Sequence, residues 1–157
     1  MALSRVLLRP FASSRTGALL LQEGRGVLNY TDDVFLFAQT ALTDTVPPST
    51  GLVLECACES WEIEVLDAKK EDIVDVGGAS RWSVSCLTLE RRSLRAFSPF
   101  NRGRYAVIEA TILATRAHLM DFGEPALRAK MSELQDIVFK TGGEREIAAF
   151  DLIRSKL

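Results

Sequence analysis

Residues 9–16 read RPFASSRT, and this short stretch decides how the N-terminal half of the chain is interpreted. It follows Val-Leu-Leu at residues 6–8, which is typical of a strand, and it precedes an apolar run that stops at Gly24. Ser13 or Ser14 is the expected N-cap of a short helix, and Gly24 suits the position that follows a last helical turn. The stretch is therefore predicted to connect a strand to a helix.

The same stretch carries groups that bind an anion. The hydroxyls of Ser13 and Ser14 and the guanidinium of Arg15 stand beside helix N–H groups without intrahelical partners, and this combination attracts a phosphate. Arg9, at the end of the preceding strand, can approach the same anion. A serine N-cap flanked by solvated arginines is the simpler explanation of the spacing, and the pattern alone leaves both interpretations open.

The N-terminal segment also has the composition of a targeting sequence. Residues 1–22 contain Arg5, Arg9 and Arg15, and no acidic residue precedes Glu23. An arginine-rich, serine-bearing segment without acids is typical of a mitochondrial transit peptide. Cleavage of such a peptide would remove the phosphate-binding stretch, so these two interpretations exclude each other.

A second group of polar side chains lies at the end of the next predicted strand, residues 26–31. Asn29 and Thr31 share one face of this strand because side chains alternate along it, and Asp32 follows. These side chains suit a ring system with imide and carbonyl groups. An Asx turn that ends the strand is the alternative.

The remaining pattern changes from strand-like to helix-like periodicity. Asp32 or Asp33 is expected to cap a helix over 34–42, whose apolar residues almost encircle it, as in a buried or interface helix. Two prolines and a glycine predict a loop over 45–51. Further strands are predicted over 52–58, 61–66 and 81–89, with a glycine turn at 77–78, and helices over 104–120, from Pro125 and around 147–153. Tyr105, Ile108, Ile112 and Leu119 form the apolar stripe of the first of these helices.

Strands followed by helices predict an α+β fold, with residues 1–100 as the β part and residues 101–157 as a three-helix part. The chain of 157 residues has 19 Lys and Arg against 21 Asp and Glu, and the net charge of −2 excludes nucleic-acid binding by bulk charge. No run approaches the roughly 18 apolar residues of a membrane span, so no membrane association is expected. Three cysteines form no disulfide framework, which favours a reducing compartment, and a cytoplasmic location is expected.

Cysteine and histidine residues provide only a weak metal-binding pattern. Cys56 and Cys58 point to one strand face, and with Cys86 and His118 they are candidates for zinc ligands, but buried thiols explain them better and no metal is expected. His118 is the only histidine, so a Ser-His-Asp triad would need it, although packing within a helix is its more common role. The sequence contains no P-loop and no nucleophile elbow, and the catalytic residues stay unassigned.

Three stretches together resemble one protein family. Residues 9–42, RPFASSRTGALLLQEGRGVLNYTDDVFLFAQTAL, resemble the core of the FMN-binding split-barrel proteins. Residues 100–119, FNRGRYAVIEATILATRAHL, and residues 140–150, KTGGEREIAAF, resemble the helical C-terminal part of one uncharacterised branch, called domain of unknown function 447. Each motif is loose by itself, and their order and spacing make the resemblance specific.

The resemblance implies an antiparallel split β-barrel followed by a helical C-terminal subdomain, assembled as a homodimer with non-covalent FMN near the interface. It assigns the FMN phosphate to Arg9, Ser13, Ser14, Arg15 and Thr16, and the isoalloxazine ring to Asn29, Thr31 and Asp32, with Asn101 and Arg102 closing the site. Members of the family usually carry a further β-hairpin before the RPF motif, whereas this sequence starts almost at the motif. We expect either a misassigned start or a barrel that lacks these strands and whose exposed edge a partner covers.

The resemblance implies a flavoprotein oxidoreductase that passes electrons from NADH or NADPH to an unknown acceptor, since the flavin itself supplies the chemistry. A protein that holds FMN without turnover needs the same residues, so the sequence does not separate it from an enzyme. A third alternative is a ligand-free interaction module that uses the C-terminal helices as its docking surface.

Overall fold

A computed structural model describes residues 4–71, 80–117 and 124–157. The elements in these ranges are β1 (Arg5–Leu8), α1 (Arg15–Glu23), β2 (Arg25–Tyr30), α2 (Val34–Leu42), β3 (Ser49–Thr50), β4 (Val53–Leu54), β5 (Glu59–Glu71), β6 (Arg81–Ser93), α3 (Arg102–Arg116), α4 (Glu124–Thr141) and α5 (Glu144–Arg154). Antiparallel strands and a helical C-terminal part confirm the predicted α+β class. The glycine turn at 77–78, His118 and the predicted helix end at 120 lie outside the described residues.

Residue contacts divide the chain into two compact units. The first contains Met1–Tyr30 and Ser49–Ala96, and the second contains Thr31–Pro48 and Phe97–Leu157. Helix α2 thus belongs with the C-terminal helices, whereas the sequence-based division at residue 100 placed it in the β part. The reason is its buried face, because Val34 and Ala38 join the apolar core of the helices and α2 packs against both α3 and α5, while Phe37 on another side stays 43% exposed.

The first unit is built on a four-stranded antiparallel sheet in the order β1-β6-β5-β2. Strands β5 and β6 are its long central pair, each of 13 residues, and both extend beyond the ranges predicted from alternation. Their register shifts twice, so that Leu66 on β5 and Leu89 on β6 are each an extra residue at a bulge. Both bulge leucines are exposed, at 48% and 40%.

The core of the first unit is formed by side chains that alternate along β5 and β6. Ile63, Val84 and Cys86 are buried at its centre, and Leu20 of α1 packs against them. Val84 and Cys86, two residues apart on β6, therefore share one buried face of the sheet. Each side chain of this type contributes on the order of 2 kcal/mol when it is removed from water.

The segment that follows α2 folds differently from its prediction. The predicted strand over 52–58 was wrong. Strands β3 and β4 form a short hairpin with two residues in each strand, and Val53–Leu54 is the only part of the predicted range that lies in it. The predicted loop over 45–51 was wrong near its C-terminal end, because Ser49–Thr50 forms β3, the first strand of this hairpin. Gly51 turns the chain with φ of 61°, a left-handed conformation that favours glycine.

The second unit packs α2 to α5 around one apolar core. Its buried residues are Val34, Ala38, Ala106, Val107, Ala110, Met131, Leu134, Val138, Ala149, Phe150 and Ile153. The buried face of α3 consists of small residues together with Val107, whereas Tyr105 is 53% exposed. The predicted apolar stripe through Tyr105 is therefore not the face of α3 that packs into the core. Small side chains allow helices to approach closely, which the amphipathic pattern of large residues does not reveal.

Two glycines show how closely α3 approaches the turn between α4 and α5. A Cβ added to Gly103 would lie 2.7 Å from the Cα of Gly142, and one added to Gly142 would lie 2.7 Å from the carbonyl oxygen of Val138. Real Cβ atoms do not approach backbone this closely, so the close approach of α3 requires glycine at position 103, and the end of α4 requires glycine at position 142. This packing fixes the start of α3.

Candidate functional site

The turn between β1 and α1 is held in place by backbone hydrogen bonds. Ala12 N donates to Ser80 O at 2.9 Å, and Trp82 N donates to Pro10 O at 2.9 Å. The guanidinium of Arg81 lies 4.6 Å from the centroid of the Phe11 ring, within cation–π range. The turn is thus fixed to the start of β6 before α1 begins.

The start of α1 matches its prediction. Ser14 is the N-cap, and its Oγ accepts a hydrogen bond of 3.1 Å from Gly17 N, while Gly24 ends the helix with φ of 67°. Gly17 is buried against Pro10, and a Cβ at Gly17 would lie 2.9 Å from the Pro10 Cβ. The RPFASSRT stretch therefore folds into a compact strand-to-helix connection, and both predicted caps are confirmed.

Several polar groups at this helix start are accessible to a ligand. The side chains of Ser13, Arg15 and Thr16 belong to exposed residues, and the hydrogen-bond ladder of α1 begins only where Ala18 N donates to Ser14 O at 2.9 Å. The amides of Arg15 and Thr16 precede this ladder and lie at the positive end of the helix dipole. Hydroxyls, a guanidinium and helix amides together suit a phosphate group.

Arg9 has a protein partner in this structure. Its guanidinium lies 3.6 Å from the carboxylate of Glu71 at the end of β5, and the Arg9 side chain is 56% exposed. An ion pair this exposed is weak, on the order of 0.5 kcal/mol, so an anion can compete for Arg9.

Asn29 fixes the small hairpin of the first unit. Its Nδ2 donates to Leu52 O at 3.0 Å, and its Oδ1 accepts from Leu54 N at 3.0 Å. The side-chain amide therefore satisfies backbone groups immediately before and within β4, as a neighbouring strand would. Sequence reasoning expected Asn29 to contact a ring, and the structure assigns its amide these two backbone partners.

Thr31, Asp32 and Asp33 form the loop that leads into α2. Thr31 Oγ1 accepts from Asp33 N at 3.1 Å, and Asp33 is the N-cap of α2 through a 3.2 Å hydrogen bond from Leu36 N. Arg145 on α5 pairs with the same Asp33 carboxylate. The predicted helix over 34–42 with an aspartate cap is confirmed, and Asp33 is the capping residue.

Asp32 belongs to a charge network that sequence reasoning missed. Its Oδ2 accepts from Ser98 N at 2.7 Å and lies 3.6 Å from the guanidinium of Arg104. Arg104 Nε also donates to Oε1 of Glu146 at 3.0 Å. One guanidinium thus links two largely buried carboxylates, whose side chains are 12% and 8% exposed.

Glu146 completes this network and helps to cap the start of α5. Its Oε2 accepts from Gly143 N at 2.8 Å in a capping-box arrangement. Burial acts to raise the pKa of Glu146, but the N–H of Gly143 and the guanidinium of Arg104 outweigh it, and the pKa lies below its ordinary value. The carboxylate is therefore ionised at neutral pH.

A cavity of about 460 Å³ opens beside this network, within the second unit. Its lining consists of Thr31, Asp32, Val34, Phe97, Ser98, Pro99, Phe100, Asn101, Arg104, Tyr105 and Ile108. The structure thus brings together three of the predicted site residues, Thr31, Asp32 and Asn101. The Oδ1 of Asn101 caps α3 by accepting from Arg104 N at 3.2 Å, and Arg102, the first residue of α3, is exposed and outside the lining.

The three cysteines form no disulfide with one another. Cys58 and Cys86 are buried and Cys56 is partly buried, and burial raises the pKa of Cys86. A buried thiol with a raised pKa is a poor nucleophile at neutral pH. In residues 4–71, 80–117 and 124–157, no three His, Cys, Asp or Glu side chains are grouped as a metal site requires.

The helices of the second unit are ordinary in length and polarity. In the part of the chain that the structure describes, no helix is long and apolar enough to cross a membrane.

Comparison with known proteins assigns the family. Residues 3–86 match the model described as protein of unknown function (DUF447) N-terminal domain, and residues 101–155 match the model described as protein of unknown function (DUF447). A crystal structure of an FMN-bound protein from Methanosarcina mazei, attributed to the same family model, matches 98% of this chain and 82% of its own chain. The two share 26% sequence identity with a TM-score of 0.78. With both of its parts matched in order, the chain belongs to the DUF447 family of proteins of unknown function.

Proposed function

We propose that this chain binds FMN non-covalently. The observation that carries the proposal is the similarity over nearly the whole chain to a structure described as FMN-bound, at 26% identity and a TM-score of 0.78. A second support comes from the chain itself, which has an anion-suited helix start at the position where the resemblance requires a phosphate site.

The residues proposed to hold the phosphate have suitable chemistry. Ser13, Arg15 and Thr16 are exposed at the positive end of α1, and the Ser14 cap keeps the first turn in place. Arg9 can exchange its exposed partner Glu71 for the ligand, as argued above. We therefore assign these five residues to the phosphate.

The proposed ring contacts are Asn29, Thr31 and Asp32, and Asn101 and Arg102 are proposed to close the site. Each has to be tested by substitution, because several of these side chains already serve the protein: Asn29 holds a hairpin, Asp32 pairs with Arg104, and Asn101 caps α3. A ring contact would use the remaining donor and acceptor capacity of these groups.

The proposed activity is electron transfer from NADH or NADPH through the flavin to an acceptor. FMN supplies the redox chemistry when bound, so the protein needs only to bind, orient and shield it. Non-catalytic FMN binding is the alternative, and it predicts the same spectrum without turnover.

We further propose a cytoplasmic homodimer, the assembly that the family resemblance implies. The sheet of the first unit exposes Leu7, Leu66 and Leu89, each by at least 40%, and exposed leucines of this kind suit burial in an interface. Three cysteines that form no disulfide agree with a reducing compartment.

The first experiment is an absorption spectrum after incubation with excess FMN and gel filtration. Bands near roughly 370 and 450 nm that co-elute with a dimer would support the proposed cofactor and assembly. Anaerobic loss of the longer-wavelength band on addition of NADH or NADPH would then support the oxidoreductase, and stoichiometric flavin that neither nucleotide reduces would support non-catalytic binding. A colourless protein would contradict FMN binding and favour an interaction module.

A further inference from the structure

The lining of the cavity in the second unit contains one charge of each sign. Among the described residues that line it, Arg104 is the only cation and Asp32 is the only anion. The same lining includes Thr31 and Asn101, which the proposed function places with Asp32 at the flavin ring. The residues assigned to the ring from the sequence did not include Arg104, although its guanidinium borders the same space.

Arg104 is held in place by carboxylates from two other elements. Its Nε donates a 3.0 Å hydrogen bond to Oε1 of Glu146, and its Nη1 lies 3.6 Å from Oδ2 of Asp32. The three side chains are only 23%, 8% and 12% exposed, so water screens their charges weakly. Because the hydrogen bond to Glu146 uses Nε, the N–H groups on the two terminal nitrogens are available to an acceptor in the cavity.

The position of Arg104 in its helix is unfavourable for the helix alone. Arg104 is the third residue of α3, and this helix, described from Arg102 to Arg116, has no acidic residue in its first turn. A cation in the first turn is disfavoured by the positive end of the helix dipole. Local helix stability therefore does not explain an arginine here, whereas the ion network and a charge required by a ligand both do.

We propose that Arg104 sets the reduction potential of FMN in this cavity, a role that rests on the proposed function. Negative charge develops on the pyrimidine edge of the flavin ring when it is reduced, and a fixed positive charge near this edge favours the reduced form. Asp32, in the same lining, opposes this effect with its own charge and, with Glu146, positions the guanidinium. The reduction potential therefore depends on two neighbouring charges of opposite sign.

Two substitutions that remove these charges should shift the potential in opposite directions. We expect Arg104→Gln to lower it and Asp32→Asn to raise it, each by about tenfold in the reduction equilibrium, or about 30 mV for a two-electron couple. Equilibration of the FMN-loaded full chain with a reference dye measures the potential. A purely structural role would loosen the site in both variants and shift both potentials the same way.

The affinity for oxidised FMN provides an independent comparison. The oxidised ring is uncharged, so the change in its Kd should be smaller than the change in the reduction equilibrium. Arg104→Lys keeps the charge, and we expect its reduction equilibrium to stay within about threefold of the wild type. Arg128→Gln and Asp136→Asn are the matched controls, because both side chains are on α4, outside the lining, and are 78% and 72% exposed. Neither control should shift the potential.

Visible absorbance first counts the FMN bound by each folded variant, as verified by circular dichroism. A wild-type chain that retains no FMN would overturn the proposed function and the role of Arg104 together. Bound FMN whose potential is unchanged, or shifts in one direction in both charge variants, would overturn the role of Arg104 alone.

The remaining variants keep the test decisive. An Arg104→Lys shift as large as that of Arg104→Gln would also overturn the proposal, because lost geometry would then explain the effect. If Arg104→Gln does not fold, Asp32→Asn decides, and a potential at or below that of the wild type would refute the proposal.

Discussion

Arg104 on α3 and Glu146 on α5 are 42 residues apart, and the Nε of one donates a 3.0 Å hydrogen bond to Oε1 of the other. This contact joins the start of α3 to the start of α5, at the point where Gly103 and Gly142 also touch. Because Arg104 also pairs with Asp32, the loop before α2 is tied to the same guanidinium. One buried ion network therefore organises the helical unit.

The pH dependence of the free energy of unfolding should reveal the contribution of the Glu146 carboxylate. Its pKa in the folded protein lies below the ordinary 4.5, so the ionised carboxylate contributes stability above that value, and the contribution is lost as the pH falls through the folded pKa. We expect Glu146→Gln to lower the free energy of unfolding by about 2 kcal/mol at neutral pH. The difference from the wild type should shrink as the pH is lowered below about 4.5, as measured by urea denaturation.

Glu133→Gln is the control for this prediction. Glu133 lies on α4 with a 68% exposed side chain and pairs only with the exposed Lys130 among the ion pairs of the described residues. We expect its effect to stay below about 0.5 kcal/mol. Parallel stability curves for wild type and Glu146→Gln across the acid range would contradict the assigned role.

Substitutions of the two serines at the start of α1 should distinguish a role in stability from a role in FMN binding. Ser14→Ala removes the cap on Gly17 N and should lower the free energy of unfolding by about 1 kcal/mol. Ser13→Ala should leave thermal stability unchanged, because Ser13 is exposed and does not cap the helix, yet it should weaken FMN binding if its hydroxyl contacts the phosphate. Equal losses of stability in both variants would contradict this division.

Arg15 provides the sharpest test of the phosphate site. The residue is exposed at the first position of α1, so Arg15→Ala should leave stability unchanged while raising the Kd for FMN about tenfold, equivalent to about 1.4 kcal/mol. Fluorescence titration of FMN measures the change, and added salt should weaken the wild type more than the variant. Arg128→Ala, at a 78% exposed arginine on α4, is the control, and an unchanged Kd in Arg15→Ala would refute the assignment.

Local signals allowed part of this architecture to be predicted from the sequence. Ser14 and Gly24 around α1 and the aspartate before α2 were predictable, since caps depend on neighbours within a few residues. The family resemblance also predicted FMN as the cofactor.

Long-range contacts account for what was missed. The Arg104–Glu146 pair joins residues 42 positions apart and has no local signature. The buried face of α3 was also missed, because the pattern of large apolar residues does not show where small residues let helices approach closely. Asn29 was interpreted as a ligand contact because its partners, Leu52 and Leu54, lie more than 20 residues away.

Asn29 can be tested for both of its roles at once. Asn29→Ala removes two backbone partners of the hairpin and should lower the free energy of unfolding by about 2 kcal/mol. Asn29→Asp keeps the acceptor for Leu54 N but loses the donor to Leu52 O, so an intermediate loss is expected in denaturation experiments. A variant that keeps its stability but loses FMN would show that the ring contact outweighs the hairpin contact.

Gly103 tests the close approach that orients α3. Gly103→Ala places a methyl group 2.7 Å from the Gly142 Cα, and since backbone cannot move aside cheaply, we expect a loss of about 1–3 kcal/mol despite the better helix propensity of alanine. Gly26→Ala is the matched control, because its added Cβ meets the flexible end of Leu20 at 3.0 Å, which can rotate away. Thermal denaturation of both variants compares the two contacts directly. A Gly103→Ala variant as stable as the wild type would mean that α3 can shift without cost, and the Arg104–Glu146 hydrogen bond would then not depend on this close approach.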